Sequence, residues 1–164
     1  MARQPKHERG YSLIEVIIAT AMLGLVMLAI MTLFFMARRN IYSGQQMSKA
    51  NAVAVRVLED LSFMTGEEVL DDFGIDDSDY DSGCGCFEIK NTDAGAPTLA
   101  NNWDQYVVQD QMTRGSVTLR VTPEGGASGT EFSTANFLRL TVIVAWNEEA
   151  RSRNVTMMTA KARR

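Results

Sequence analysis

The pattern of hydrophobic and polar positions changes twice along the chain. From Val16 to Ala37 there is no charged residue in 22 positions, which is long enough to cross a bilayer as a helix. Apolar residues then recur at steps of three and four as far as Met64, and this spacing predicts an amphipathic helix. After Gly115 apolar and polar positions alternate, which predicts strands that each bury one face.

No proline interrupts the two apolar segments, so a single helix from Tyr11 to about Met64 can contain both of them. Gly66 is a typical residue for the end of such a helix. The alternative is two helices with a break near Gly44. The alternating segments at 117–121, 138–146 and 155–159 predict an antiparallel sheet, with an additional strand at 103–108. A lone sheet cannot cover its apolar side, so we expect an α+β fold in which the amphipathic half of the long helix packs on the sheet.

Charge is distributed unevenly along the 164 residues, whose net charge is −4. Residues 1–10 carry +2, 11–58 carry +3, 59–110 carry −13 and 111–164 carry +4. This segregation and the apolar run argue against a soluble cytosolic enzyme. The only histidine is His7, in the basic leader, so the rest of the chain lacks an imidazole for a catalytic triad or a zinc site. We therefore expect a protein that is not an enzyme.

Glu15 stands at the start of the apolar run, where an ionisable residue is costly. The 11 Leu, Ile, Val and Phe residues of 16–37 favour insertion by roughly 3 to 7 kcal/mol. A central charge costs about 2.5 to 3.5 kcal/mol, and less near the interface. Insertion tolerates Glu15, but a plain membrane anchor does not explain it. A signal peptide also fits poorly, because the apolar run is too long and leads directly into Arg38 and Arg39.

The segment Gly-Tyr-Ser-Leu-Ile-Glu-Val, from Gly10 to Val16, follows a short basic leader and precedes the apolar helix. This combination resembles the prepilin signal of type IV pilins and pseudopilins. The resemblance implies that a membrane prepilin peptidase cuts between Gly10 and Tyr11 and methylates the new amino terminus. It also implies that Glu15 sets the register between subunits. Phenylalanine is the commonest first mature residue in that family, and tyrosine keeps the aromatic ring.

The resemblance divides the chain into a leader (1–10), a helix (11–64, with the membrane span at about 16–37) and an exposed head (65–164). It implies an inner-membrane protein with a cytoplasmic N-terminus, which an assembly platform moves from the lipid into a filament of pilin or pseudopilin subunits. The last hairpin, with Trp146 before a polar turn at 147–153, resembles that of minor pilins of the V type and pseudopilins of the I type.

We therefore expect a minor subunit of a type IV pilus or a related filament. One alternative is a minor pseudopilin of type II secretion. Another is a filament-tip adhesin or DNA-binding subunit, which would use the basic residues Arg151, Arg153, Arg163 and Arg164.

Eight of the fifteen residues from Glu67 to Asp81 are acidic, which is typical of a solvated loop. Within and after this stretch, the spacing of four carboxylates approaches that of a calcium loop, although Ser82 replaces the glycine at its sixth position. The candidate calcium ligands are Asp77, Asp79, Asp81 and Glu88. A solvated loop and a calcium site both remain open.

Cys84 and Cys86 would lie outside the membrane, where disulfides persist. A bond between them requires Gly85 to turn the chain tightly, because the Cα atoms of a disulfide lie about 4.4–6.8 Å apart. We favour this intrachain bond. Free thiols or bonds to another subunit are the alternatives.

Replacing Gly10 by leucine is expected to block leader cleavage, because the prepilin signal requires a small residue before the cut. The precursor, ten residues longer than the mature chain, should accumulate in membranes. Immunoblots of membrane fractions measure this. Normal maturation of Gly10→Leu would contradict the interpretation of the leader.

Overall fold

The computed structural model describes residues 12–93, 98–110, 112, 115–126, 131–148 and 151–163. The chain divides between Tyr42 and Ser43 into two compact units. In chain order the elements are helix α1 (Leu13–Ser62), helix α2 (Gly66–Phe73), a 3-10 turn (Asp77–Asp79), strand β1 (Phe87–Lys90), helix α3 (Thr98–Gln109) and strands β2 (Ser116–Glu124), β3 (Phe137–Glu148) and β4 (Arg151–Ala162).

The four strands form one antiparallel sheet in the order β1-β2-β3-β4, so that each strand pairs with the next in sequence. The predicted alternation sets its register: Leu119 lies opposite Val142, and Val121 lies opposite Leu140. All four of these side chains are fully buried, since they share the face that points to the core. The strands extend further than predicted, because β3 continues to Glu148 and β4 begins at Arg151.

The C-terminal part of α1 covers that face of the sheet. Its predicted apolar stripe is fully buried at Ala50, Val53, Val57 and Leu61, which belong to the same hydrophobic core as the strands. This arrangement confirms the predicted α+β fold. The structure has one helix through Gly44 rather than two.

The strand predicted at 103–108 is wrong, because these residues lie in α3. Ala100, Trp103 and Val107 are buried at steps of three and four residues, and this helical spacing places all three against the core. The fourth strand is instead β1, which pairs with β2 through Ile89 and Leu119.

Part of the acidic stretch, predicted as a loop, forms the helix α2. Its start is fixed by a capping box in which the Thr65 hydroxyl accepts from the Glu68 N–H (3.2 Å) and the Glu68 carboxylate accepts from the Thr65 N–H (2.6 Å). These two bonds lower the pKa of Glu68. Val69, Leu70 and Phe73 are buried, so one face of the helix joins the core.

Gly66, predicted to stop the long helix, opens α2 instead. A Cβ atom at this position would lie 2.8 Å from the carbonyl oxygen of Ala162, at the end of β4. The glycine therefore allows α2 to approach the last strand closely.

Candidate functional site

The apolar N-terminal part of α1 exposes its side chains on every side. Leu25 is 68% exposed and Phe34 is 73% exposed, and no described residue between Ser12 and Tyr42 is buried. The helix is long and apolar enough to cross a membrane. A continuous exposed apolar surface of this kind is typical of segments that contact lipid or other proteins.

The two threonines in the apolar run satisfy their hydroxyl groups within the helix. Thr20 donates to the carbonyl oxygens of Val16 and Ile17, at 3.0 and 2.9 Å, and Thr32 donates to that of Ala29 at 2.8 Å. These bonds lower the cost of placing both hydroxyls in an apolar environment.

The Glu15 carboxylate has no such partner among the described residues. It lies in the first turn of α1, where the Glu15 and Val16 N–H groups donate to the Ser12 carbonyl at 2.9 and 3.3 Å. A negative charge is favourable near the N-terminus of a helix. The Glu15 carboxylate can therefore accept a hydrogen bond from, or form an ion pair with, a positive group that lies outside the described residues. Gly10 and Tyr11, the predicted cleavage and methylation sites, lie outside the described residues.

The four candidate calcium ligands each contact a different protein group. Asp77 accepts from the Ser133 N–H (3.0 Å) and from its hydroxyl, Asp79 accepts from the Asp76 N–H (3.0 Å), and Asp81 accepts from the Gly83 N–H (2.8 Å). Glu88 forms ion pairs with Arg120 at 2.8 Å and Lys90 at 3.7 Å. In the described part of the chain, no group of three or more acidic, histidine or cysteine side chains could hold a metal ion. The predicted calcium site gains no support from this arrangement.

The hydroxyl and N–H groups of Ser133 hold the pKa of Asp77 below its usual range, because both donate to the charged carboxylate. The contact joins the acidic segment to the connection between β2 and β3, 56 residues away in sequence. Asp77 therefore orders two loops of the head.

Cys84 and Cys86 form an intrachain disulfide with their Cα atoms 5.2 Å apart. Gly85 between them adopts a φ of 67°, a left-handed conformation that favours glycine. The Asp81 and Cys86 backbones pair on the N-terminal side of β1, so the turn closes directly onto the sheet.

Two of the C-terminal basic residues already have partners in the head. Arg153 forms an ion pair of 2.9 Å with Glu148, and Arg163 donates to the Phe132 carbonyl and lies 3.7 Å from Glu67. Arg164 lies outside the described residues. The arrangement therefore gives little support to a basic surface for nucleic acid.

The polar contacts that hold α1 on the head were not predicted. The Lys161 ammonium donates to the carbonyl oxygens of Ser62 and Met64, both at 2.7 Å, at the C-terminal end of the helix. A cation is favourable at this position, because the last carbonyls of a helix have no intrahelical partner. Nothing in the local sequence links Lys161 to carbonyl groups 97 and 99 residues away.

A second unpredicted contact involves Glu148, whose side chain is 7% exposed. It accepts from the Ser43 hydroxyl at 3.1 Å while it pairs with Arg153. A buried carboxylate requires such partners, so Glu148 connects α1 to the last hairpin.

The model of the prokaryotic N-terminal methylation motif matches residues 5–31. No significant match to a curated protein or to a solved structure was found. This motif is typical of the type IV pilin and pseudopilin class. In this N-terminal segment the chain is similar to type IV pilins and pseudopilins, and its long apolar helix and four-stranded antiparallel sheet are consistent with the α+β fold of pilins.

Replacing Asp77 by asparagine is expected to destabilise the head in a pH-dependent manner. Folding lowers the pKa of Asp77. The charged Asp77 therefore contributes fully to the free energy of unfolding above the ordinary pKa of 3.8, and this contribution is lost as the pH falls through the lowered pKa of the folded state. Thermal midpoints of the Ser43–Arg164 unit should therefore differ most from wild type at neutral pH and converge as the pH falls below the ordinary value of 3.8 and through the lowered pKa of the folded state.

Asp72→Asn, an exposed aspartate to which no described side chain donates, is the matched control and should show a smaller difference at neutral pH. A deficit of Asp77→Asn that stays constant down to strongly acidic pH would contradict the role given to its charge.

Proposed function

We propose that this protein is a minor subunit of a type IV pilus or a related filament. The observation that carries the proposal is the methylation motif at residues 5–31, joined to a helix whose apolar side chains are exposed on every side. Prepilin peptidase removes residues 1–10 and methylates Tyr11. Before assembly the mature chain is anchored in the inner membrane, with its N-terminus in the cytoplasm and its head outside.

Lipid and neighbouring helices are two alternative surroundings for the same apolar surface. In the membrane, acyl chains cover the exposed residues of α1. During assembly the inner-membrane platform transfers the subunit into the filament, and the α1 helices of other subunits replace the lipid. The internally satisfied hydroxyls of Thr20 and Thr32 suit both environments, since neither hydroxyl requires an external partner.

Glu15 gives this packing its axial register. After cleavage it lies four residues beyond the amino terminus of Tyr11, about one helical turn away. In an apolar filament core a lone ammonium or carboxylate is costly, so the carboxylate of an incoming subunit pairs with the amino terminus of a neighbour. A helix that slips along its axis would bury both charges unpaired.

The alternative is a minor pseudopilin of type II secretion. Its assembly would depend on the same helix, motif and glutamate, so the mechanism proposed above applies to both. The neighbouring genes would distinguish a pilus from a secretion system. A DNA-binding tip subunit is less well supported, because Arg153 and Arg163 already contact groups of the head.

Replacing Glu15 by alanine is expected to leave cleavage and membrane insertion intact while recruitment into filaments fails. Losing one partner of a buried ion pair costs about 3–5 kcal/mol, which is enough to prevent the addition of a subunit. The measurement is the amount of the variant in sheared filaments divided by its amount in membranes.

The matched control is Glu59→Ala, which removes an exposed glutamate from the same helix in the head and should assemble normally. Equal incorporation of Glu15→Ala and wild type would show that Glu15 does not set subunit register.

A further inference from the structure

The disulfide in the turn before β1 closes a very small ring. Cys84 and Cys86 are separated by two positions in the sequence, and the ring encloses only Gly85. A disulfide stabilises a fold chiefly by restricting the unfolded chain, and this restriction grows with the number of residues that the ring encloses. A ring of this size restricts the unfolded chain very little. The stability of the head therefore does not account for the bond.

Hydrogen bonds hold the same turn without the sulfur atoms. The Asp81 N–H donates to the Cys86 carbonyl (2.9 Å), and the Asp81 carbonyl accepts from the N–H groups of Cys86 (3.3 Å) and Gly85 (2.8 Å). The Asp81 carboxylate accepts from the Gly83 N–H (2.8 Å). Because none of these bonds involves a sulfur atom, the turn keeps its hydrogen bonds when the disulfide is reduced.

The two cysteines differ in their access to solvent. Cys84 is exposed, whereas Cys86 is fully buried. Gly83 and Gly85 flank Cys84 and have no side chains that would shield it. Exchange begins when a thiolate attacks one sulfur of a disulfide, and its rate depends on access to that sulfur. A thiol from outside therefore reaches Cys84, and Cys86 is the leaving group.

The chain around the turn is negatively charged. Residues 67–89 include nine acidic residues and no basic one. Asp79 and Asp81, just before the cysteines, are both exposed. Glu88, just after them, is paired with Arg120 at 2.8 Å. Since like charges repel, the exposed carboxylates oppose the approach of an anionic thiol and favour a neutral or cationic one.

We propose that the Cys84–Cys86 bond is a site of thiol–disulfide exchange for neutral or cationic thiols. The incoming thiolate forms a bond with the Cys84 sulfur as the bond between the two cysteines breaks. Cys86 leaves as a thiolate and takes a proton from water. In the reverse step the Cys86 thiolate attacks Cys84 and expels the incoming thiol, which restores the disulfide. The exchange conserves disulfide bonds and requires no other oxidant.

The first test uses the full chain in detergent, with cysteamine as the probe. After an acid quench and alkylation, mass spectrometry of peptides should find cysteamine on Cys84 and the alkylating group on Cys86. Removal of cysteamine before the quench should restore the disulfide. Hydrogen exchange should show that the sheet amides stay protected throughout. An adduct on Cys86, or a reaction that occurs only when the head unfolds, would overturn the proposal.

Two single variants form a matched pair that tests the difference in access. Cys86→Ser leaves the exposed thiol of Cys84, and Cys84→Ser leaves the buried thiol of Cys86. Cystamine should modify Cys86→Ser at least about tenfold faster, because buried thiols are unreactive. Equal rates would contradict the role given to Cys84. If a serine at the buried position destabilises the head, the position of the adduct in the wild-type protein still decides the question.

A comparison of thiols tests the charge of the partner. The rates with cysteamine and glutathione are each divided by the rate of the same thiol with hydroxyethyl disulfide, which is neutral and corrects for intrinsic reactivity. Cysteamine should then be favoured at least about threefold at low salt, and the preference should disappear at high salt because salt screens the carboxylates. A preference for glutathione, or none at low salt, would refute the neutral or cationic partner.

The peptide Lys-Cys-Lys carries a cationic thiol on a polypeptide. A rate well above that of cysteamine would assign the site to protein thiols, and an equal rate would assign it to small thiols; either result supports exchange at Cys84. None of these measurements depends on leader cleavage or on filament assembly. Failure here is therefore distinguishable from failure of the proposed function.

Discussion

The α1 helix has to bury two apolar surfaces against two different surroundings, and the rest of the structure depends on this constraint. Its C-terminal stripe, from Ala50 to Leu61, is covered by the sheet of its own chain. Its N-terminal part, from Leu13 to Met36, is exposed on every side in the single chain. An exposed apolar surface of this size is typical of a segment that contacts lipid or other proteins, and the helix is long and apolar enough to cross a membrane.

The head holds its part of the helix through polar contacts as well as through the core. Lys161 binds the last carbonyls of α1, Glu148 accepts from Ser43, and the Tyr106 hydroxyl donates to Asp60 at 2.8 Å. The bond to Asp60 raises the pKa of Tyr106, because it holds the proton on the phenol. These contacts attach the C-terminal part of α1 to β3, β4 and α3.

Sequence periodicity predicted the parts of the fold that bury one regular face. The stripe on α1 and the alternation in β2 and β3 were correct because burial of one face dictates both spacings. Residues 103–108 were misassigned because a segment this short fits both the strand period and the helix period, and the burial of Trp103 and Val107 fits a helix.

The helix α2 was predicted as a loop because of its acidic composition, although Thr65 and Glu68 have the spacing of a helix capping box. The contact of Asp77 with Ser133 could not be predicted, since nothing local specifies a partner 56 residues away. The calcium site stays a prediction.

The central claim is that the N-terminal segment is a processed and methylated assembly signal. Mass spectrometry of the N-terminal peptide of the native protein tests this most directly. The account predicts a chain that begins at Tyr11 and carries one methyl group on its amino nitrogen. A native chain that retains Met1–Gly10, or that begins at another residue without the methyl group, would contradict it.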